Sequence, residues 1–292
     1  MIIDGKSHSE KLRKKIKDEL TKICQNTKDV PKLSVILIGD YLPSQIYVKN
    51  KQKKAKEVGI KSEVIKYPET VSEKEVLDKI KSLNNDKEVT GILVQLPLPS
   101  HINEKLILDC IQPNKDADGF HPLNVGKLSI SETNDENILV PCTPYGCLLL
   151  LRELDVNLQG KHAVVIGRSN IVGKPMAQLL LKESCTVTIA HSKTTNIEDL
   201  CASADILIAA VGKPEIVKMD WIKKNAIVID VGINRIQKNV EGEIKNKIVG
   251  DVNFDEAKER AFALTPVPGG VGPMTIACLL RNTKISFENS LG

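Results

Sequence analysis

Short apolar runs rich in β-branched residues recur along the chain. They are Leu33 to Ile38, Glu63 to Tyr67, Gly91 to Leu96, Ala163 to Ile166, Val187 to Ala190, Ile206 to Val211 and Ala226 to Val231. Most are continuously apolar rather than alternating, which predicts parallel strands covered on both faces. Between them lie Ser44 to Val58, Glu73 to Asn84, Lys174 to Lys182 and Ile197 to Ala202, whose pattern predicts helices. Strands alternating with helices predict an α/β fold of doubly wound sheets.

The pattern also suggests where the chain divides. A length of 292 residues, at roughly 150 per domain, predicts two domains. Ser129 to Asn137 is polar and strand-free and reads as a loop. Pro141-Cys-Thr-Pro144 follows, then an apolar stretch from Tyr145 to Leu154 that reads as a connecting helix, and a fresh strand opens at His162. The boundary is therefore expected between residues 120 and 160.

Composition narrows the classes. The apolar share is 41% but aromatics are only 3%, so the cores are expected to be aliphatic. Net charge is a weak +4. The lysines from Lys11 to Lys17 alternate with Leu12, Ile16, Leu20 and Ile23, the pattern of a solvated helix face. No aromatic residues interleave with them to stack bases, which argues against a nucleic-acid binder. The 7 cysteines form no CxxC pair, which predicts free thiols in a reducing compartment. The histidines are scattered, so no metal site is expected. Neither a secretory leader nor an apolar run of the ~18 residues a membrane span needs is visible. A cytoplasmic protein that works without nucleic acid or membrane is the expectation.

Candidate chemistry in the second half centres on one turn. The strand ending at Ile166 runs into Gly167-Arg168-Ser169-Asn-Ile-Val172-Gly173, and Lys174-Pro175 opens a helix. Backbone N–H groups and the helix dipole at such a junction favour an anion. The strict GxGxxG spacing is not kept, because Ser169 holds the middle position and the last glycine is shifted to Gly173. Two readings stand: a dinucleotide-binding turn, or an ordinary strand-to-helix connection. The next strand ends in His191-Ser192-Lys193-Thr194, with no acid where an NAD site places one for the ribose. A hydroxyl and positive charge there, with Arg168 in the turn, would accept a 2′-phosphate and favour NADP; the alternative is a plain polar loop. Downstream strands run into Gly212 and Gly232-Ile233, where backbone contacts to a cofactor near Val211, Gly212 and Ile233 are expected.

In the first half, Tyr47 and Lys51 stand four apart in a helical pattern, hence on one face. Spacing alone fits a half-buried tyrosine beside a surface lysine as well as a ligand site. Gln95 interrupts an apolar strand just before Pro97 and Pro99, and a polar side chain there needs a partner. Lys115-Asp-Ala-Asp118-Gly119 sets two carboxylates in a glycine turn, which an Asx turn also explains. Pro266-Val-Pro268-Gly269-Gly270-Val-Gly272-Pro-Met-Thr275 is a rigid loop before a last helix.

These blocks, together with Pro141-Cys-Thr-Pro144 and Gly167 to Pro175, appear in an order and over a span that resembles the methylenetetrahydrofolate dehydrogenase/cyclohydrolase family. Ala117, where that family often has valine, is the one conservative departure. The resemblance implies a folate-binding catalytic domain of residues 1–140 and 273–292, a Rossmann-type NADP-binding domain of residues 141–272, and a cleft between them. It implies Lys51 as the central acid/base, with Gln95 holding it, Tyr47 stacking on the folate and Asp118 binding the pterin edge. Pro268, Gly269 and Gly270 would line the folate pocket. Gly167, Arg168, Ser169, Val172, Gly173, Ser192, Ile233 and Thr275 would bind NADP. It also implies a homodimer.

Overall fold

The computed structural model describes residues 1–131, 137–240 and 243–291, and side chains throughout these except at 238–240 and 243–245. Ten helices and ten strands among the described residues run in the order α1 (Gly5–Thr27), β1 (Lys32–Ile38), α2 (Leu42–Glu57), β2 (Lys61–Tyr67), α3 (Glu73–Asn85), β3 (Gly91–Val94), α4 (Glu104–Cys110), α5 (Pro122–Ile130), α6 (Cys142–Arg152), β4 (His162–Ile166), α7 (Gly173–Lys182), β5 (Thr186–Ala190), α8 (Ile197–Ala202), β6 (Ile206–Ala209), β7 (Ile227–Asp230), β8 (Asn234–Val240), β9 (Glu243–Val249), α9 (Phe254–Lys258), β10 (Ala263–Leu264) and α10 (Val271–Ser290). Every predicted strand and helix is present. Of the polar loop expected at Ser129 to Asn137, Ser129 and Ile130 close α5, and 132–136 fall outside the described residues.

The chain forms two compact units. The first comprises Glu10–Cys142 and Ile276–Gly292, the second Met1–Ser9 and Thr143–Thr275. Residues 1–9 thus belong with the second unit, whereas the sequence reading has them in the first. The reason is backbone pairing: the Ile3 N–H donates to the Leu264 carbonyl at 2.9 Å, and the Leu264 N–H to the Met1 carbonyl at 3.0 Å.

In the first unit, three parallel strands lie in the order β2-β1-β3. Ile36, Ile80, Ile92 and Ile107 share one buried cluster. Helix α3 begins at Ser72, whose hydroxyl accepts the Glu75 N–H, and buries the stripe Val76, Ile80 and Leu83. Its far end is closed by Lys115, whose ammonium donates to the carbonyls of Leu83, Asn84 and Asp86 at 3.2, 2.8 and 2.7 Å. A cation there complements the helix dipole. Because β1 is followed by β2 on one side and β3 on the other, the carboxyl ends of β1 and β3 make a topological switch point, where open α/β sheets bind ligands.

In the second unit, five parallel strands lie in the order β10-β7-β6-β4-β5. Strands β6 and β7 are buried along their whole length, as continuously apolar sequences require. The switch point falls between β4 and β6. An antiparallel pair, β8 with β9, follows β7. Sequence patterning missed it because its residues are largely polar.

Candidate active site

Helix α2 starts with Pro43 in its first turn and buries Ser44, Val48, Lys51 and Ala55. Those positions recur at helical spacing, so Lys51 stands on the stripe that faces the core. It is only 3% exposed; the surface-lysine alternative does not hold. Its ammonium donates to Gln95 Oε1 at 3.0 Å and lies 5.0 Å from the centroid of the Tyr47 ring, within cation–π range. Gln95 is fixed in turn. Its N–H donates to the Ile36 carbonyl at 2.9 Å, tying the end of β3 to β1, and its side-chain amide donates to the Leu96 carbonyl at 2.7 Å. The polar interruption of an apolar strand therefore has its partners.

Burial pushes the Lys51 pKa below the ordinary lysine value, against the opposing influence of Asp118 and, more weakly, Cys142. Asp118 is half-buried. Its carboxyl is pushed up to about 6, by burial first, with Lys51 holding it down and Asp116 adding to the rise. Burial thus drives both the amine and the carboxyl toward their uncharged forms, while each opposes that shift in the other.

The two carboxylates of the Lys115 to Gly119 turn do different things. Asp116 is buried and accepts the N–H of Gly119 at 3.0 Å, the N–H of His121 at 2.8 Å and the Asn124 amide at 3.0 Å. It is the staple that an Asx-type turn predicts, and Asp118 is left to the site. Gly119 has φ +78°, and a Cβ there would lie 2.5 Å from the Val140 carbonyl carbon. The turn packs on Val140 to Cys142. Asn282 of α10 holds both strips, donating to the carbonyls of Ala117 at 3.0 Å and Val140 at 2.8 Å. Cys142 donates its Sγ hydrogen to the Ala117 carbonyl at 3.3 Å, and burial raises its thiol pKa well above the usual value. Sequence reasoning noticed Cys142 only within a motif and missed Asn282 altogether.

In the second unit, Gly167 has φ +128°, and a Cβ there would lie 2.3 Å from the Ala210 carbonyl oxygen. A Cβ on Gly173 would lie 2.1 Å from the Gly167 carbonyl oxygen. Both glycines are needed to bring β4, the end of β6 and the start of α7 together. Ser169, at the middle-glycine position, folds its hydroxyl back to accept the N–H groups of Val172 at 3.1 Å and Gly173 at 3.3 Å. Both bonds close the turn on itself just before α7, so those two donors are already engaged.

A cavity of about 460 Å³ opens beside this turn; Gly167, Arg168, Ser169 and Ser192 line it. So do Ile197, Ile216 and Trp221, an apolar wall the sequence reading did not assign, and Lys213 in place of the Lys193 it named. No carboxylate is among the lining residues. An apolar wall with cations and hydroxyls suits an aromatic base attached to phosphates. Ile233 is 61% exposed. The Val211 and Gly212 N–H groups expected to face a cofactor are instead bonded to Asp251. Pro268, Gly269, Gly270 and Thr275 all belong to the second unit, and Thr275 Oγ1 is 3.1 Å from Thr143 Oγ1. Among the described residues, no group of three or more His, Cys, Asp or Glu could hold a metal ion, and no helix is long and apolar enough to cross a membrane.

An α/β sheet with a phosphate-type turn beside a base-sized cavity, carried on one chain with a buried lysine coupled to a half-buried aspartate, defines a nucleotide-dependent enzyme that also moves protons. The chain belongs to the tetrahydrofolate dehydrogenase/cyclohydrolase family: residues 3–118 match that family's catalytic domain, and residues 141–291 its NAD(P)-binding domain. It is 57% identical over 290 residues to the bifunctional protein FolD of Pelagibacter ubique, covering 99% of each chain. Among solved structures, it is similar to the bifunctional methylenetetrahydrofolate dehydrogenase/cyclohydrolase of Campylobacter jejuni, with 45% identity, a TM-score of 0.91 and 99% of each chain covered. It is likewise similar to the Trypanosoma brucei enzyme complexed with NADP cofactor and an inhibitor, with 40% identity, a TM-score of 0.93, and 100% and 98% covered.

Proposed function

We propose that this chain oxidises 5,10-methylenetetrahydrofolate to the 5,10-methenyl cation with NADP⁺, and then hydrolyses that cation to 10-formyltetrahydrofolate. The observation that carries the reading is the buried Lys51 ammonium, bonded to Gln95 and beside Tyr47, in a member of this family. When bound, NADP⁺ accepts the hydride. The residues present fit it, since Arg168, Ser192 and Lys213 line an acid-free cavity, as a 2′-phosphate requires. Gly167, Ser169, Val172, Gly173, Ile233 and Thr275 complete the proposed cofactor set. Pro268, Gly269 and Gly270 are proposed to line the folate site.

The chain's own contribution to the oxidation is orientation, because hydride transfer from the one-carbon unit needs alignment more than a base. The hydrolysis needs proton transfer. Neutral Lys51 removes a proton from the water that adds to the methenyl carbon. The bond from that carbon to N5 then breaks as the carbinol hydroxyl gives up its proton to solvent and the formyl C=O forms, and Lys51 returns the first proton to N5. The lowered lysine pKa supplies the neutral amine, and a cationic substrate beside it favours that form further. Gln95 aims the amine, Tyr47 stacks on the folate, and Asp118 accepts from the pterin N–H edge.

Lys51→Met is expected to lower cyclohydrolase kcat by about 10²–10⁴-fold, the usual contribution of a positioned acid–base group, while NADP-dependent oxidation persists. The two are separated by following methenyl absorbance and NADPH formation. Near-normal hydrolysis in the variant would overturn the role given to Lys51. The same reading includes a homodimer, which rests on family resemblance and is tested by sedimentation equilibrium. A cytoplasmic location is supported by the seven cysteines, all of them free, since thiols persist in reducing compartments.

A further inference from the structure

One loop supplies much of the nucleotide cavity. Val211, Lys213 and Ile216, which follow β6, all line it. Local sequence does not fix the shape of this loop. Gly212 has φ +65° and Glu215 φ +51°, and the left-handed region is unfavourable for a residue that carries a Cβ. Pro214, between them, has no N–H to bond. The loop is therefore held from outside.

Asp251, which is 0% exposed, holds it at both ends. Its Oδ2 accepts the N–H groups of Val211 at 2.6 Å and Gly212 at 2.9 Å, where the loop leaves β6. Its carbonyl accepts the Val217 N–H at 3.0 Å, where the loop ends. Beside it, the Gly250 carbonyl accepts the Glu215 N–H at 3.0 Å, and the Asn253 N–H donates to the Val217 carbonyl at 2.8 Å. Asp251 is itself pinned. Its Oδ1 accepts the Asn234 amide at 2.8 Å, and its N–H donates to Asp230 Oδ1 at 2.9 Å. A Cβ on Gly232 would lie 2.2 Å from Asp251 Oδ1, so the carboxylate packs directly on that glycine.

We propose that Asp251 is a positioning residue for the adenosine 2′-phosphate end of NADP, acting through the loop 211–217. Its carboxylate and carbonyl keep Val211 and Ile216 as a wall for the base. They also hold the Lys213 backbone where its ammonium reaches the phosphate. The wall is thus set before the nucleotide arrives, and ordering it only at the moment of binding would cost affinity. The inference rests on the dinucleotide reading of the second unit and deepens it.

The test uses purified Asp251→Asn with NADPH and with adenosine 2′,5′-bisphosphate, which carries the base and the 2′-phosphate but no nicotinamide. In either orientation of the asparagine the loop loses its charged acceptor, and one donor is left facing another. Kd is expected to rise about tenfold for both ligands, because the loss falls on the part they share. KM for NADP should rise with it, while dehydrogenase kcat at saturating NADP stays within about twofold of wild type, the mark of lost uniform binding. Bisphosphate binding that weakens less than about twofold overturns the role. So does a kcat that falls as far as affinity does, since that is general damage to the unit. Hydrogen exchange on the wild-type protein decides the matter even if the variant does not fold. The Val211 and Gly212 amides should be protected before any nucleotide is added; exchange at open-chain rates until NADPH binds would overturn the proposal. Failure of the dinucleotide reading would look different, as wild-type protein that binds neither NADPH nor adenosine 2′,5′-bisphosphate.

Discussion

Lys51 owes its chemistry to the neighbours that have replaced water around it. Burial lowers its pKa and Asp118 raises it, so the two influences oppose each other at one amine. Asp118→Asn removes the raising charge. The lysine pKa then falls further, and the neutral amine is reached at lower pH. The rising limb of cyclohydrolase kcat against pH, measured at saturating substrate, should move to lower pH in the variant. A limb that stays put or moves upward would show that Asp118 does not face the amine electrostatically. The sequence made Tyr47 and Lys51 neighbours by their spacing, but burial depends on strands far along the chain, which spacing does not contain. Likewise Asp116 and Asp118 read alike in sequence. Only the three donors that converge on Asp116 reveal which carboxylate is a staple and which faces the site.

At the level of elements, the junction of β4 and α7 was legible because glycine, small residues and proline punctuate it. Its internal wiring was not. The substitution of serine for the middle glycine looked like a weakening of the motif, yet Ser169 holds the N–H groups of Val172 and Gly173 at the entry to α7. Ser169→Ala should therefore cost about 1 kcal/mol, the usual net worth of such a hydrogen bond. Urea unfolding without nucleotide measures this; an unchanged midpoint would mean that water replaces the hydroxyl freely. Strands β4 to β7 were readable from apolar runs alone. The β8–β9 pair was not, since an antiparallel ribbon with polar faces carries no such signal. It matters all the same, because Asn234 at its base donates to the buried Asp251 carboxylate.

The two ends of one unit, far apart in sequence, together build its catalytic site. Asn282, on the last helix, bonds carbonyls at Ala117 and Val140, just before Asp118 and Cys142 in the chain. Contacts spanning 165 and 142 residues leave no trace in local pattern, which is why the sequence placed the last helix in the first domain only through family resemblance. Asn282 is 0% exposed, so truncation cannot be repaired by bulk water. In Asn282→Ala, the Ala117 carbonyl keeps the Cys142 thiol, but the Val140 carbonyl loses the bond that Asn282 supplies. One orphaned buried acceptor plus the volume removed should destabilise the protein by roughly 2–4 kcal/mol, read from urea unfolding. The distribution of the functional damage is the sharper measurement. Asn282 belongs to the unit that carries Lys51, so hydrolysis of methenyltetrahydrofolate should fall well before affinity for NADPH does. A variant that loses nucleotide binding first, or one that keeps normal hydrolysis at wild-type stability, would mean that the clamp does not hold the Asp118 turn in place.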